Sequence, residues 1–217
     1  MPAPPIVRIT GGDFAGRRVR GAHGPTRPAT ARLRRSIFDR PDVQDALDGR
    51  VLDLYAGAGL LGVEALSRGA AWVDFVERER RACETIRENL KTLGCDDRAS
   101  VHCRPVERVL PRLDSGYGLC FADPPYPVDA TPVLHDLLAR GILASGGLLL
   151  WRHPKSHFAP DSIVPVAQDP SGPTASLVHA DQRRYGDAVL DSYVLVAAPT
   201  RTATQDSPPH ASRGAAR

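Results

Sequence analysis

Lysine is nearly absent: of 28 cationic residues, only Lys91 and Lys155 are not arginine. Long apolar runs are absent too. Nothing approaches the ~20 apolar residues that a membrane-crossing helix needs. The opening MPAPPIVRITGG lacks the apolar centre of a secretion signal. Both absences predict a cytoplasmic protein with no membrane partner. No CxxC pair and no histidine cluster accompanies Cys83, Cys95, Cys103 and Cys120. Reduced, partly buried thiols are expected, and no metal site. Acid is scarce at one end only. Residues 1–40 hold nine arginines against Asp13 and Asp39, a balance of +7, which leaves −4 for the remainder of a chain whose total is +3. Such asymmetry suggests an anionic partner for the N-terminal part, although a general arginine bias would produce some of it.

What is present reads as one domain with a small appendage. The alternating stretch IVRITGGDFAGRRVR, split by Gly-Gly, predicts a hairpin with strands Ile6–Thr10 and Arg17–Arg20. Thr30 is placed to cap a short helix with Leu33, Ile37 and Phe38 on its apolar side. From residue 50, short apolar strands alternate with helices: strands at 51–54, 72–76, 100–103, 119–122 and 147–151, helices at 60–68, 78–93, 106–113 and 131–139. Continuous apolar strands joined by helices predict a mainly parallel sheet covered on both faces. DSIVPVAQ and AVLDSYVLVAA read as a closing antiparallel pair, joined through a loop at 169–174. Residues 198–217 have no apolar period and predict a disordered tail.

Two motifs carry chemistry. VLDLYAGAGLLGVEAL is strand, glycine turn, helix, and Gly57, Gly59 and Gly62 match the GxGxxG spacing. The glycines let a ligand approach the backbone, and Glu77, ending the next strand, can grip two ribose hydroxyls. A nicotinamide enzyme would share these features. Asp53, however, stands four residues before the first glycine, where a carboxylate would repel a pyrophosphate but attract a cation such as the ammonium group of S-adenosylmethionine. Capping of the next helix is the alternative role for Asp53, and a solvated helix-terminal acid the alternative for Glu77. The second motif is Asp123-Pro124-Pro125-Tyr126, after the apolar strand LCFA. The prolines fix φ and remove two N–H groups, so the strand cannot continue and the turn becomes a stiff frame for hydrogen-bond acceptors. Ligands of an open α/β sheet bind beyond the carboxyl ends of its strands, where Asp53, Glu77 and Asp123 converge.

Together these stretches resemble the S-adenosylmethionine-dependent amino-methyltransferases with an (N/D)PP(Y/F) motif. More narrowly, the chain resembles the bacterial RsmD family of 16S rRNA guanine-N2-methyltransferases. The match is carried by VRITGGDFAGRRVR, TRPATARLRRSIFD, the glycine-turn segment, FADPPY and the late RRYGD, over about residues 6–197. The resemblance implies a Rossmann-like class I fold with a mainly parallel seven-stranded sheet, an antiparallel C-terminal pair and a hairpin-and-helix N-terminal extension. It implies domains at 1–40 and 41–197, S-adenosylmethionine as cofactor, and small-subunit rRNA or its assembly intermediate as partner of a monomeric enzyme. The chain departs from the family pattern where Ala29-Thr30-Ala31-Arg32 replaces Thr-Ser-Asp-Arg, where Arg35 replaces a common Glu, where CRPVE replaces an acid beside the adenine, and where Arg152 replaces a Glu.

The implied roles follow. Asp123, Pro124, Pro125 and Tyr126 are the catalytic set. Asp53, Tyr55, Ala56, Gly57, Gly59, Glu77, Arg78, Val106 and Asp123 form the cofactor site. Arg8, Arg17, Arg18, Arg20, Arg32, Arg34 and Arg35 grip RNA phosphates, and Arg27, Thr30 and Arg34 have an alternative place over the cofactor. The rivals are a DNA adenine-N6 or protein amide methyltransferase using the same turn, a non-catalytic RNA-binding protein on this scaffold and, more distantly, a nicotinamide oxidoreductase.

Overall fold

A computed structural model describes residues 4–22, 29–165 and 175–197. The N-terminal hairpin pairs β1 (Ile6–Arg8) with β2 (Arg18–Arg20) in antiparallel register, Ile6 opposite Arg20. Both strands are shorter than expected, because Ile9 to Arg17 form a compact turn closed by Ile9 N–H to Arg17 O (3.0 Å) and Gly16 N–H to Ile9 O (2.9 Å). Thr30 caps α1 (Ala31–Phe38) as expected, its hydroxyl accepting from Leu33 N–H at 3.2 Å. A short α2 (Pro41–Ala46) follows; it buries little besides Val43, so no apolar period announced it.

The body alternates β3 (Arg50–Leu54), α3 (Leu60–Ser67), β4 (Trp72–Glu77), α4 (Arg80–Leu93), β5 (Ala99–Cys103), α5 (Val106–Val109), β6 (Tyr117–Ala122), α6 (Thr131–Ala139) and β7 (Leu143–Pro154). The sheet closes with β8 (Ser162–Ile163), β9 (Ser176–Tyr185) and β10 (Ala188–Val196). Strand order is β5-β4-β3-β6-β7-β10-β9-β8. The first five of these are parallel, and β10, β9 and β8 are antiparallel. The chain leaves β3 to one side for β4 and β5, then to the other for β6 and β7. The switch point therefore lies between β3 and β6.

The C-terminal expectation needs correcting. Among the described residues the sheet has eight strands rather than seven, and the stretch around 162–163 does not pair with β10. The chain inserts β9 between them. This strand, SLVHADQRRY, buries Leu177 alone, its other residues being half-buried or exposed, so its apolar signal is weak. Both the expected 169–174 loop and the 198–217 tail lie outside the described residues.

Period-2 alternation divides the core. Val51, Val73, Phe75, Leu119, Phe121, Leu148 and Leu150 face one layer with α1, α3 and α4. Leu52, Leu54, Val76, Cys120, Leu149 and Trp151 face the other, with α5 and α6. The N-terminal extension belongs to the first layer: Ile9, Val19, Leu33, Ile37 and Phe38 join the same buried cluster. Among the described residues, no helix is long and apolar enough to cross a membrane, and no group of His, Cys, Asp or Glu could hold a metal ion.

Candidate active site

The alternation that builds the first layer also builds the site. On each central strand the buried apolar column ends in a charge on the same face: Val51 leads to Asp53, Phe75 to Glu77, Phe121 to Asp123 and Leu150 to Arg152. Asp53 lies level with Phe75 and Phe121, one pleat below Glu77 and Asp123. It therefore forms the floor, and the other three form the rim, of a cavity of about 1080 Å³ at the switch point. The three acids expected to converge do so, and all line this cavity.

The glycine turn is bound to the neighbouring strand. Glu77 Oε2 accepts from Gly57 N–H (2.8 Å), and Ala56 N–H donates to Val76 O (3.0 Å). Gly59 has φ +74°, open to glycine at little cost. At Gly62 a Cβ would stand 2.2 Å from the Phe75 ring, so glycine lets α3 lie directly on β4. Asp53 does act as the cap considered for it: Oδ2 accepts from Gly62 N–H at 2.9 Å in the first turn of α3. It also faces the cavity, so the cap leaves it in the lining. Burial pushes its carboxyl well above the usual range; Gly62 N–H opposes this, and the charges of Asp123 and Glu77 add to it. A cation above this floor would relieve the strain of two to three close acids.

Other features fit S-adenosylmethionine. Tyr55 adopts φ +58°, which carries the chain over the rim. Its hydroxyl is buried and has no hydrogen-bond partner among the described residues. Burial, with Glu107 adding, raises that phenol to about 12, so it stays a neutral donor. Ala56, Arg78 and Val106 line the same cavity. After β5 the wall is made by Pro105, Val106 and Glu107, the stretch where the expected acid is missing.

Beyond β6, Asp123 N–H reaches Leu54 O (3.4 Å) and Pro125 O accepts from Val128 N–H (2.8 Å), closing the turn. Pro124 is buried and Pro125 exposed. Tyr126 is 43 % exposed on the rim, unusual for an aromatic side chain and suited to a flat partner. Asp123 is held in part by Arg152, whose Nε lies 2.9 Å from Oδ1. Burial raises the Asp123 carboxyl to about 6, with Arg152 pulling it down. Arg152 was recognised in the sequence only as a departure; its place on the alternating face of β7 was the signal that could have put it in the site. Asp187, the acid that ends the late RRYGD stretch, lies in the β9–β10 turn and also lines the cavity; the stretch was matched to the family without a role for this acid.

Three expectations change. Arg34 cannot grip phosphate or cover the cofactor: it is 1 % exposed, with Nε 3.1 Å from Glu64 Oε1 and Nη2 2.9 Å from Arg8 O. Glu64 also accepts from Thr10 N–H at 2.8 Å and Thr10 Oγ1 at 3.0 Å, which clamps the extension to α3. Thr30 is the cap of α1, and it is the adjacent Ala29 that lines the cavity. Arg17 is anchored: its guanidinium donates to Leu93 O (3.0 Å) and Thr92 O at the end of α4. Arg8, Arg18, Arg20, Arg32 and Arg35 are exposed, Arg20 pairing with Glu88 at 3.1 Å. Arg27 lies outside the described residues.

Comparison with known proteins agrees with this geometry. Residues 7–191 match the family described as Conserved hypothetical protein 95. The chain is 34% identical over 163 residues to "Putative rRNA methyltransferase YlbH" of Bacillus subtilis, covering 72% of this chain and 88% of that protein. It is 34% identical over 123 residues to ribosomal RNA small subunit methyltransferase D of Escherichia coli K12, covering 55% of this chain and 60% of that protein. A solved structure of a hypothetical protein from Thermus thermophilus superposes with a TM-score of 0.69 at 31% identity, covering 88% of this chain and 98% of that one. The fold is the Rossmann-like one of S-adenosylmethionine-dependent methyltransferases, and the chain belongs to the Conserved hypothetical protein 95, or RsmD, family.

Proposed function

We propose that this protein methylates the exocyclic N2 amine of a guanine in small-subunit ribosomal RNA, acting as a monomer on the assembling subunit. The observation that carries the reading is the position of Asp123. A buried, strand-anchored carboxylate faces the same cavity as Asp53 and Glu77, with the exposed Tyr126 ring beside it. The names of the relatives, rRNA methyltransferases, supply the substrate class.

S-adenosylmethionine supplies the methyl group and a leaving sulfur. Asp53 and Glu77 suit its ammonium and ribose ends, and the glycine turn admits it. The protein's task on the other side is to orient the amine. A guanine N2 lone pair is delocalised into the ring and attacks poorly. Asp123 and the Pro124 carbonyl would accept its two N–H bonds, turning the nitrogen toward tetrahedral geometry with the lone pair aimed into the cavity. Positive charge developing on nitrogen is stabilised by Asp123, which is largely ionised at neutral pH with a value near 6. Tyr126 would stack on the base, which must be unpaired or flipped out to reach it. The exposed arginines of β1, β2 and α1 would hold phosphates, which position the RNA and carry no sequence information.

The test is transfer of labelled methyl from S-adenosylmethionine to small subunits from a strain lacking the gene, followed by nucleoside analysis, with wild type beside Asp123→Ala. Label in N2-methylguanosine with wild type alone supports the reading. Label in another nucleoside, or none while S-adenosylhomocysteine still binds, overturns it.

A further inference from the structure

We infer that Arg152 is a specificity-determining residue: it donates to O6, the acceptor at the far end of the Watson–Crick edge whose amine Asp123 holds. The inference rests on the guanine-N2 reading above.

The first observation is placement. β7 is hydrogen-bonded on both sides, to β6 and to β10, with Arg152 opposite Leu190. The backbone of Arg152 is therefore fixed in the middle of the sheet. Ala122 pairs with Trp151, so one residue further each strand presents its last inward side chain, Asp123 and Arg152, side by side. The Nε–Oδ1 separation of 2.9 Å follows from that register. Both side chains line the large cavity, Arg152 being 12% and Asp123 21% exposed.

The second observation is the setting of the pair, between apolar packing and the open cavity. Below the pair the packing is apolar: Leu33, Ile37, Leu61, Phe121, Leu150 and Leu190. Buried ion pairs in such surroundings are often replaceable by apolar side chains without loss of stability. A guanidinium at this point is better explained by what enters the cavity.

The chemistry of that edge is specific. The Watson–Crick edge of guanine runs from the O6 acceptor through the N1–H donor to the N2 donors. A carboxylate beside a guanidinium is its complement: the carboxylate takes the donors and the guanidinium donates to O6. Arginine has five donors in a planar fork, so it can keep hold of Asp123 while it reaches the base.

The experiment uses the full chain and subunits whose RNA carries either guanosine or 2,6-diaminopurine at the one methylated position. The analogue keeps the 2-amino group, replaces O6 with an amine and removes N1–H. Wild type should prefer guanosine by about 100-fold or more in kcat/KM, the size expected when a site built to donate meets a donor. Arg152→Met should lose about 100-fold on guanosine and narrow the preference by about 10-fold or more, the remainder belonging to N1–H against Asp123. Arg152→Lys, with a single ammonium donor, should restore part of the preference. S-adenosylhomocysteine affinity close to wild type verifies that each variant is folded. A preference undiminished in Arg152→Met while both rates fall together would show a merely structural role and overturn the inference. No methylation of the guanosine subunits by wild type would remove the underlying guanine reading, a different and separately visible failure.

Discussion

Asp123 and Asp191 are aspartates on neighbouring parts of one sheet, and they are treated oppositely. Asp191, inside the β7–β10–β9 antiparallel layer, is fully buried and saturated. Its Oδ2 meets His153 Nε2 at 2.5 Å, and its Oδ1 meets His179 Nε2 at 2.7 Å and accepts from Gln182 Nε2 at 3.0 Å. Burial alone would raise it, but these partners outweigh burial and hold it below the usual carboxylate range. Asp123, at the open end of the parallel layer, has one neighbour of opposite charge, Arg152, and burial wins, raising it to about 6. A carboxylate whose acceptor positions are filled is part of the scaffold. One left under-satisfied beside a large cavity is poised for a ligand.

The widest separation of the two comes from removing each. Asp123→Ala should lower methyl transfer by about 10³-fold and leave the thermal midpoint unchanged or higher, as activity and melting measured on one preparation will tell. Asp191→Ala should do the reverse: destabilisation of about 3 kcal/mol in denaturant titrations, because His153 and His179 lose their shared acceptor, with residual activity set by the folded fraction. If Asp191→Ala stayed fully stable, saturation would not distinguish scaffold from site.

Titration sharpens the contrast. The folded value of Asp123 lies above its unfolded one, so the stability linked to its protonated form is present below about 4 and lost as pH rises through about 6. That of Asp191 lies below, so its contribution is present at neutral pH and lost as pH falls beneath the ordinary carboxylate range. In the proposed role the active form of Asp123 is the ionised one, so the rate should rise with pH through about 6. The charges facing Asp123 are Arg152 on β7 and Asp53 on β3. Since Arg152 lowers the value, Arg152→Met should move the acid limb upward. A pH–rate profile of methyl transfer flat from 5 to 8 would contradict the role given to Asp123.

The sequence made the site legible where local rules decide geometry. Strand period and turn chemistry were enough to bring Asp53, Glu77 and Asp123 to one end of the sheet. The arrangement was less legible where a partner far along the chain decides the role. Arg34 sits next to Leu33 on α1 and looked like any exposed cation; only the packing of α1 on α3 shows it reaching Glu64, thirty residues on. The polar face of β9 concealed a strand in the middle of the antiparallel layer, because pairing with β10 and not apolar burial stabilises it. Arg152 stood out as a departure, but its contact with Asp123 depends on the β6–β7 register.

The same contrast between a saturated and an available charge recurs in two adjacent arginines, and it gives the smallest expected effects. Arg34 is enclosed and bonded to Glu64, Ala29 O and Arg8 O. Arg35, one residue on, is exposed. Arg34→Met should loosen the extension and cost about 3 kcal/mol, since the buried Glu64 carboxylate, which also binds Thr10, loses the nearer of its two arginines and keeps only Arg68 at 3.6 Å. Arg35→Ala should change stability by no more than about 0.5 kcal/mol. Its effect belongs to RNA: a weaker affinity for small subunits and a slope of log affinity against log salt reduced by about 1, the loss of one phosphate contact. Binding titrations at several salt concentrations measure that slope. An unchanged slope in Arg35→Ala, together with unchanged slopes for Arg18→Ala and Arg32→Ala, would move the RNA off this face of the extension and leave the excess charge of residues 1–40 as a solvated surface.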